Sequence, residues 1–196
     1  MDMLAETIRG DSYHSVLSVV EYIIVRASED INKDDPIRFF NGLFETEYVG
    51  YRFVGKMITP ITGEAETETI EEALTDSSER IKEHLEKALR YISDREKPDY
   101  ANSIKESISA VEAECDRIVG DEATLSDALN RLEKAGVVIH PSMKEAFKKL
   151  YGYTGDAKAI RHAGNMDGED ATFAEARFML VACSAFINYL KLCQAE

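Results

Sequence analysis

Val16, Leu17, Val19, Val20, Ile23, Ile24, Ala27 and Ile31 recur with the spacing of one helix face, which predicts a first amphipathic helix over about 13–31. Asp35-Pro36 then reads as an N-cap followed by the first helical residue, and opens a short helix that turns Ile37, Phe40, Leu43 and Phe44 inward. The pattern breaks at Tyr51-Arg-Phe-Val-Gly-Lys-Met-Ile-Thr-Pro-Ile61. Its β-branched and aromatic residues around Gly55-Lys56 predict a small β-hairpin, which is marginal alone and has to pack on the helices. Residues 64–75 are acidic and helical in character. Asp76 and Glu79 have capping-box spacing ahead of a helix with Ile81, Leu85, Ala88, Leu89 and Ile92 on one face.

A connection over Ser93 to Asp99 divides the chain into an N-terminal helical region, 1–97, and a helical domain, 98–196. Beyond it, Asn102 and Ser103 stand as N-caps for a helix whose Ile104, Ile108, Val111, Cys115 and Ile118 share a face, ended by Gly120. Thr124 caps a helix from Leu125 to Ala135, which Gly136 stops. Pro141 opens the next, with Met143, Ala146, Phe147, Leu150 and Tyr151 inward, before a turn at Gly152 to Gly155. Thr172 and Glu175 form a capping box for a last helix that is apolar nearly all round, its Arg177, Ser184, Asn188 and Lys191 confined to one stripe. Such a helix is central to a bundle or lies in a subunit interface. The fold class is therefore all-α, a helical bundle with an N-terminal helical extension and a small hairpin.

Charge changes the picture in two ways. Asp and Glu outnumber Lys and Arg by 37 to 23, a net charge of −14 that opposes non-specific binding to nucleic acid or anionic membrane. The window from Arg131 to Arg161 runs against this. It holds seven basic residues and three acids, and tolerates an anion such as phosphate, although a solvated helix face has the same pattern. The three cysteines, Cys115, Cys183 and Cys193, sit in apolar helical stretches and read as buried thiols of a reducing compartment. The four histidines have no metal-ligand spacing, so neither a metal nor a cofactor is expected. The apolar run between Arg177 and Lys191 is shorter than the roughly 20 residues of a membrane span. Met1 to Gly10 lacks a signal-peptide core, and the expected location is cytoplasmic.

Arg161-His162 closes the basic window. An Arg holds phosphate with a bidentate fork and a His moves a proton near neutral pH. Metal-free RNA cleavage needs those two roles, a base for the ribose 2′-hydroxyl and a cation for the charged phosphorane. The same dipeptide also suits a helix C-terminus decorated with cations. Glu106, Glu112 and Glu114, on the polar side of their helix, either pair with Arg161 or are solvated.

Several long segments resemble the HEPN domains of AbiJ-type abortive-infection proteins. They are Pro98 to Glu112, Thr124 to Leu129, Ile139-His140-Pro141, Ala146 to Thr154, Ile160-Arg161-His162-Ala163 and Ala174 to Leu190. Gly50 to Val54 and Ile58 to Thr62 look like segments that precede such a domain. The resemblance implies an HEPN-like bundle that pairs as a homodimer, and a metal-independent endoribonuclease in phage defence. The motif is an Arg, a polar residue, then a His a few positions on. Arg161 and His162 match its first two places, while Met166, Asp167 and Gly168 stand where the His belongs. Ala101 is a second departure, at a place where similar sequences carry Arg.

Two functional readings follow. In the first, Arg161 and His162 cleave RNA, with Lys148, Lys149, Lys158 and Asn102 as substrate contacts. In the second, the protein is a non-catalytic HEPN-type dimer that senses or regulates a defence-system partner. Neither involves a membrane.

Overall fold

The computed structural model describes residues 12–30, 35–61, 63–75, 77–120, 125–156 and 171–195. Among them the protein is all-α apart from one two-stranded sheet. The order is α1 (Tyr13–Asp30), α2 (Pro36–Thr46), β1 (Arg52–Val54), β2 (Met57–Thr59), α3 (Glu64–Thr75), α4 (Glu79–Ser93), α5 (Tyr100–Val119), α6 (Leu125–Arg131), a 3-10 turn (Leu132–Ala135), α7 (Pro141–Asp156) and α8 (Phe173–Ala195). The chain forms two compact units, one of residues 1–67 and 93–98, the other of 68–92 and 99–196.

In the first unit the predicted N-cap is in place. The Asp35 side chain accepts from the N–H groups of Ile37 and Arg38, with Pro36 behind it. Helix α2 ends in a Schellman arrangement: Val49 N–H bonds the Phe44 carbonyl at 2.8 Å and Tyr48 N–H that of Glu45 at 3.1 Å. This puts Tyr48 at φ 54°, left-handed backbone usually left to glycine. Leu17, Ile24, Phe44, Phe53 and Ile58 form the core, with the Phe44 and Phe53 rings stacked at 6.1 Å.

The hairpin pairs Phe53 with Ile58 in antiparallel register, so their remaining N–H and C=O groups point away from the ladder. Unpaired, those groups would make two raw sheet edges. Side chains close both. Asn41 takes the Phe53 side, while Glu21 accepts from Ile58 N–H at 2.5 Å and Arg95 donates to the Ile58 carbonyl at 3.2 Å. Arg95 also pairs with Glu21 at 2.9 Å and reaches Ser18.

In the second unit α5 and α8 pack along their lengths. Ile104, Ile108, Val111 and Cys115 of α5 meet a core that includes Leu85 and Leu89 of α4 and Leu180, Ile187 and Leu190 of α8. Gly120 and Gly136, at φ 76° and 90°, end their helical segments as expected. The Thr172–Glu175 box closes in both directions, Thr172 N–H to the Glu175 carboxylate at 2.8 Å and Glu175 N–H to Thr172 Oγ1 at 3.3 Å.

Three expectations need correction. The N-cap of α5 is Asp99, which accepts from Asn102 N–H at 3.0 Å; Ser103 is buried and donates to the Ala88 carbonyl instead. The turn at Gly152 to Gly155 is absent, because α7 continues to Asp156. A helical glycine costs only about 1 kcal/mol, and helix propagation carries α7 through both. On α7, Met143 and Ala146 are exposed and Phe147, Leu150 and Tyr151 only half-buried. The pattern identified an apolar face but not what covers it.

Candidate functional site

Arg161, His162 and Lys158 lie outside the described residues, as do Met166, Asp167 and Gly168. The described part of the basic window spans the 3-10 turn and α7. On α7, Lys148 pairs with Glu145 at 2.9 Å one turn back, and Lys149 is exposed. The pairing holds the Glu145 carboxyl below the usual carboxylate range. Asn102 is held by Asp99, whose carboxylate also accepts from its side-chain amide at 2.7 Å.

The acids of α5 are not a solvated row. Glu114 is fully buried, and Arg117 binds it with two bonds of 2.8 Å, through Nε and Nη2. That bidentate bond raises the guanidinium pKa above its ordinary value. Arg117 also bonds Gln194 of α8, and Arg80 pairs with Asp116 at 3.4 Å. Glu106 is half-buried and meets His84 Nδ1 at 2.7 Å. A carboxylate at Nδ1 fixes the orientation of the ring. His84 and Glu106 come from two antiparallel helices, so no local spacing in the sequence announces them.

The polar stripe of α8 faces inward. Ser184 and Asn188 are buried. Asn188 donates to the Thr69 carbonyl and to Glu72, both at 3.0 Å, and Lys191 reaches the Ala73 carbonyl at 3.3 Å. Ala73 sits in the last turn of α3, where carbonyls lack helical partners and a cation offsets the dipole. Beside this seam, Glu72, Ser78, Arg117, Asn188, Lys191, Leu192 and Gln194 line an open cleft of about 550 Å³.

No group of three or more potential metal ligands occurs among the described residues. Cys115 and Cys183 are buried free thiols whose pKa values are pushed up to about 12, chiefly by desolvation and, for Cys115, also by Glu114. Thiols so protonated are neither nucleophiles nor metal ligands near neutral pH. Helix α8 is long and apolar enough to cross a membrane, with half of its most apolar window buried in the protein.

Residues 2–76 match the family AbiJ N-terminal domain 4. The match supports an AbiJ-type abortive-infection protein, and it falls on the part of the chain holding α1, α2, the hairpin and α3. No curated protein and no solved structure matches the chain.

Proposed function

We propose that this protein is an abortive-infection effector of AbiJ type that cleaves RNA without a metal ion. The match of residues 2–76 to the AbiJ N-terminal domain carries the phage-defence part of this reading. The basic window and the Arg161-His162 pair support the chemistry. In that chemistry His162 takes the proton of a ribose 2′-hydroxyl, whose oxygen attacks the adjacent phosphorus; the bond from phosphorus to the next nucleotide's 5′-oxygen breaks, that oxygen leaves with the proton returned by the imidazolium, and a 2′,3′-cyclic phosphate remains. Arg161 neutralises the charge that grows on the phosphoryl oxygens. Lys148, Lys149 and Lys158 attract the RNA backbone to an otherwise acidic chain.

One observation favours a second, non-catalytic reading as sensor or regulator. Met166, Asp167 and Gly168 supply no second histidine, so one imidazole would have to serve both proton transfers. The two readings separate in cells. Expressed in a bacterial host under phage attack, the wild-type chain should reduce plaque formation, and Arg161→Ala should lose that protection. Protection that survives both Arg161→Ala and His162→Ala would support the sensor instead.

A further inference from the structure

We infer that the cleft beside the α3–α8 seam is a binding site for a free α-amino acid, held by its carboxylate at one end and its ammonium at the other. Two cations, Arg117 and Lys191, and one carboxylate, Glu72, line it. Arg117 is held by Glu114 and Gln194 through Nε and Nη2, which leaves Nη1 for another acceptor. Glu72 is exposed and takes the Asn188 amide on Oε2, so its Oε1 stays out of that bond.

Asn188 marks the ammonium end. It is 7% exposed and lies at the floor of the cleft. Its Nδ2 donates to the Thr69 carbonyl and to Glu72, which fixes the amide and turns Oδ1 the other way. That oxygen is buried and has no hydrogen-bond partner among the described residues. Buried acceptors in folded proteins nearly always have a donor, so this one points to a group that arrives from outside the chain. Offsetting a helix end accounts for Lys191, but not for an acceptor left open beside a carboxylate. An ammonium supplies three donors, enough for Oδ1 and the Glu72 carboxylate together.

Charge and spacing narrow the ligand. Asn188, Lys191 and Gln194 follow one another every three residues on α8, so the two ends of the cleft lie about 9 Å apart along the helix. With a hydrogen bond of about 2.9 Å at each end, roughly 3 Å is left between the ligand's two charged groups, the separation across a single Cα. An anion alone would meet Glu72, with Glu114 behind Arg117, and a polyamine would meet Arg117 and Lys191. A zwitterion is matched at both ends. At about 550 Å³ the cleft has room for a side chain beyond the Cα, and Leu192 offers it an apolar contact. The inference does not rest on the ribonuclease reading.

The test is calorimetric titration of the full chain with glycine, leucine, lysine and glutamate, which span small, apolar, cationic and anionic side chains. At least one should bind with a Kd at or below about 1 mM. Its N-acetyl derivative, which lacks the ammonium, and its amide, which lacks the carboxylate, should each bind at least about tenfold more weakly. Glu72→Gln keeps an oxygen for Asn188, and Lys191→Gln keeps a donor for the Ala73 carbonyl. Both variants should unfold at the wild-type temperature and lose at least about tenfold in affinity. No heat with any of the four up to about 10 mM, derivatives that bind as tightly as the parent, or an affinity untouched by both substitutions would each overturn the inference.

Discussion

Asn41 and Phe53 are joined by two hydrogen bonds of opposite sense: the Asn41 side-chain amide donates to the Phe53 carbonyl at 2.9 Å, and Phe53 N–H donates to Asn41 Oδ1 at 2.7 Å. The side chain thus acts as a one-residue strand against the edge of β1. Asn41→Ala strands two backbone groups beside the fully buried Phe53 ring, and should cost about 2–4 kcal/mol, roughly the penalty for two unmade bonds. Urea unfolding measures it. Asn41→Asp keeps the acceptor but sets a carboxylate oxygen against the Phe53 carbonyl, and should cost at least as much as Asn41→Ala.

Tyr48 holds the left-handed position after α2 while its side chain is 96% exposed. Replacing it with glycine removes backbone strain and no packing. Against the extra freedom glycine gives the unfolded chain, Tyr48→Gly should still raise stability by roughly 0.5–1 kcal/mol. A lower denaturation midpoint would show that Tyr48 makes a contact that outweighs the strain.

Glu114 has only one-hundredth of its side chain exposed, and Arg117 is its bidentate partner. Arg117→Ala leaves a carboxylate in the core with its main cation gone, and should destabilise by about 3 kcal/mol. That is the low end for a broken buried pair, because the Arg117 side chain is 42% exposed. Replacing both residues by leucine should cost less than Arg117→Ala alone. Thermal or chemical unfolding of the three proteins decides this.

Cys115 and Cys183 have folded pKa values near 12, raised above their ordinary value. A raised pKa means that the unfolded chain releases these protons first. The stability these thiols contribute is intact below about pH 9 and is lost as pH climbs through 12. Ellman's reagent at pH 8 should therefore modify half-buried Cys193 readily and the other two only after denaturant. Fast reaction of all three thiols in the native state would contradict the packing of α5 against α8.

Much of this fold is legible in short stretches of sequence because the forces that set it are local. Asp35 before Pro36, Thr172 with Glu175, and the glycines at 120 and 136 each satisfy backbone groups within one helical turn. The hairpin was readable from its β-branched residues. Its edge closure was not, since Glu21, Asn41 and Arg95 come from distant parts of the chain. The same holds for Glu114 and Glu106: a helical pattern gives a side chain's angle on its own helix, while burial depends on what the neighbouring helix brings. The α8 stripe shows the limit most clearly. Four polar residues on an apolar helix ordinarily mark the wet side, yet three of them face inward, where Asn188 and Lys191 serve the carbonyls of α3.

The central claim is metal-free RNA cleavage by a phage-defence protein, and the most direct test is to incubate purified protein with single-stranded RNA in excess EDTA. The account expects cleavage that leaves 2′,3′-cyclic phosphate ends, lost in Arg161→Ala and reduced at least a hundredfold in His162→Ala, the scale of general acid–base catalysis. Intact RNA with the wild type, or equal cleavage by all three proteins, would contradict it.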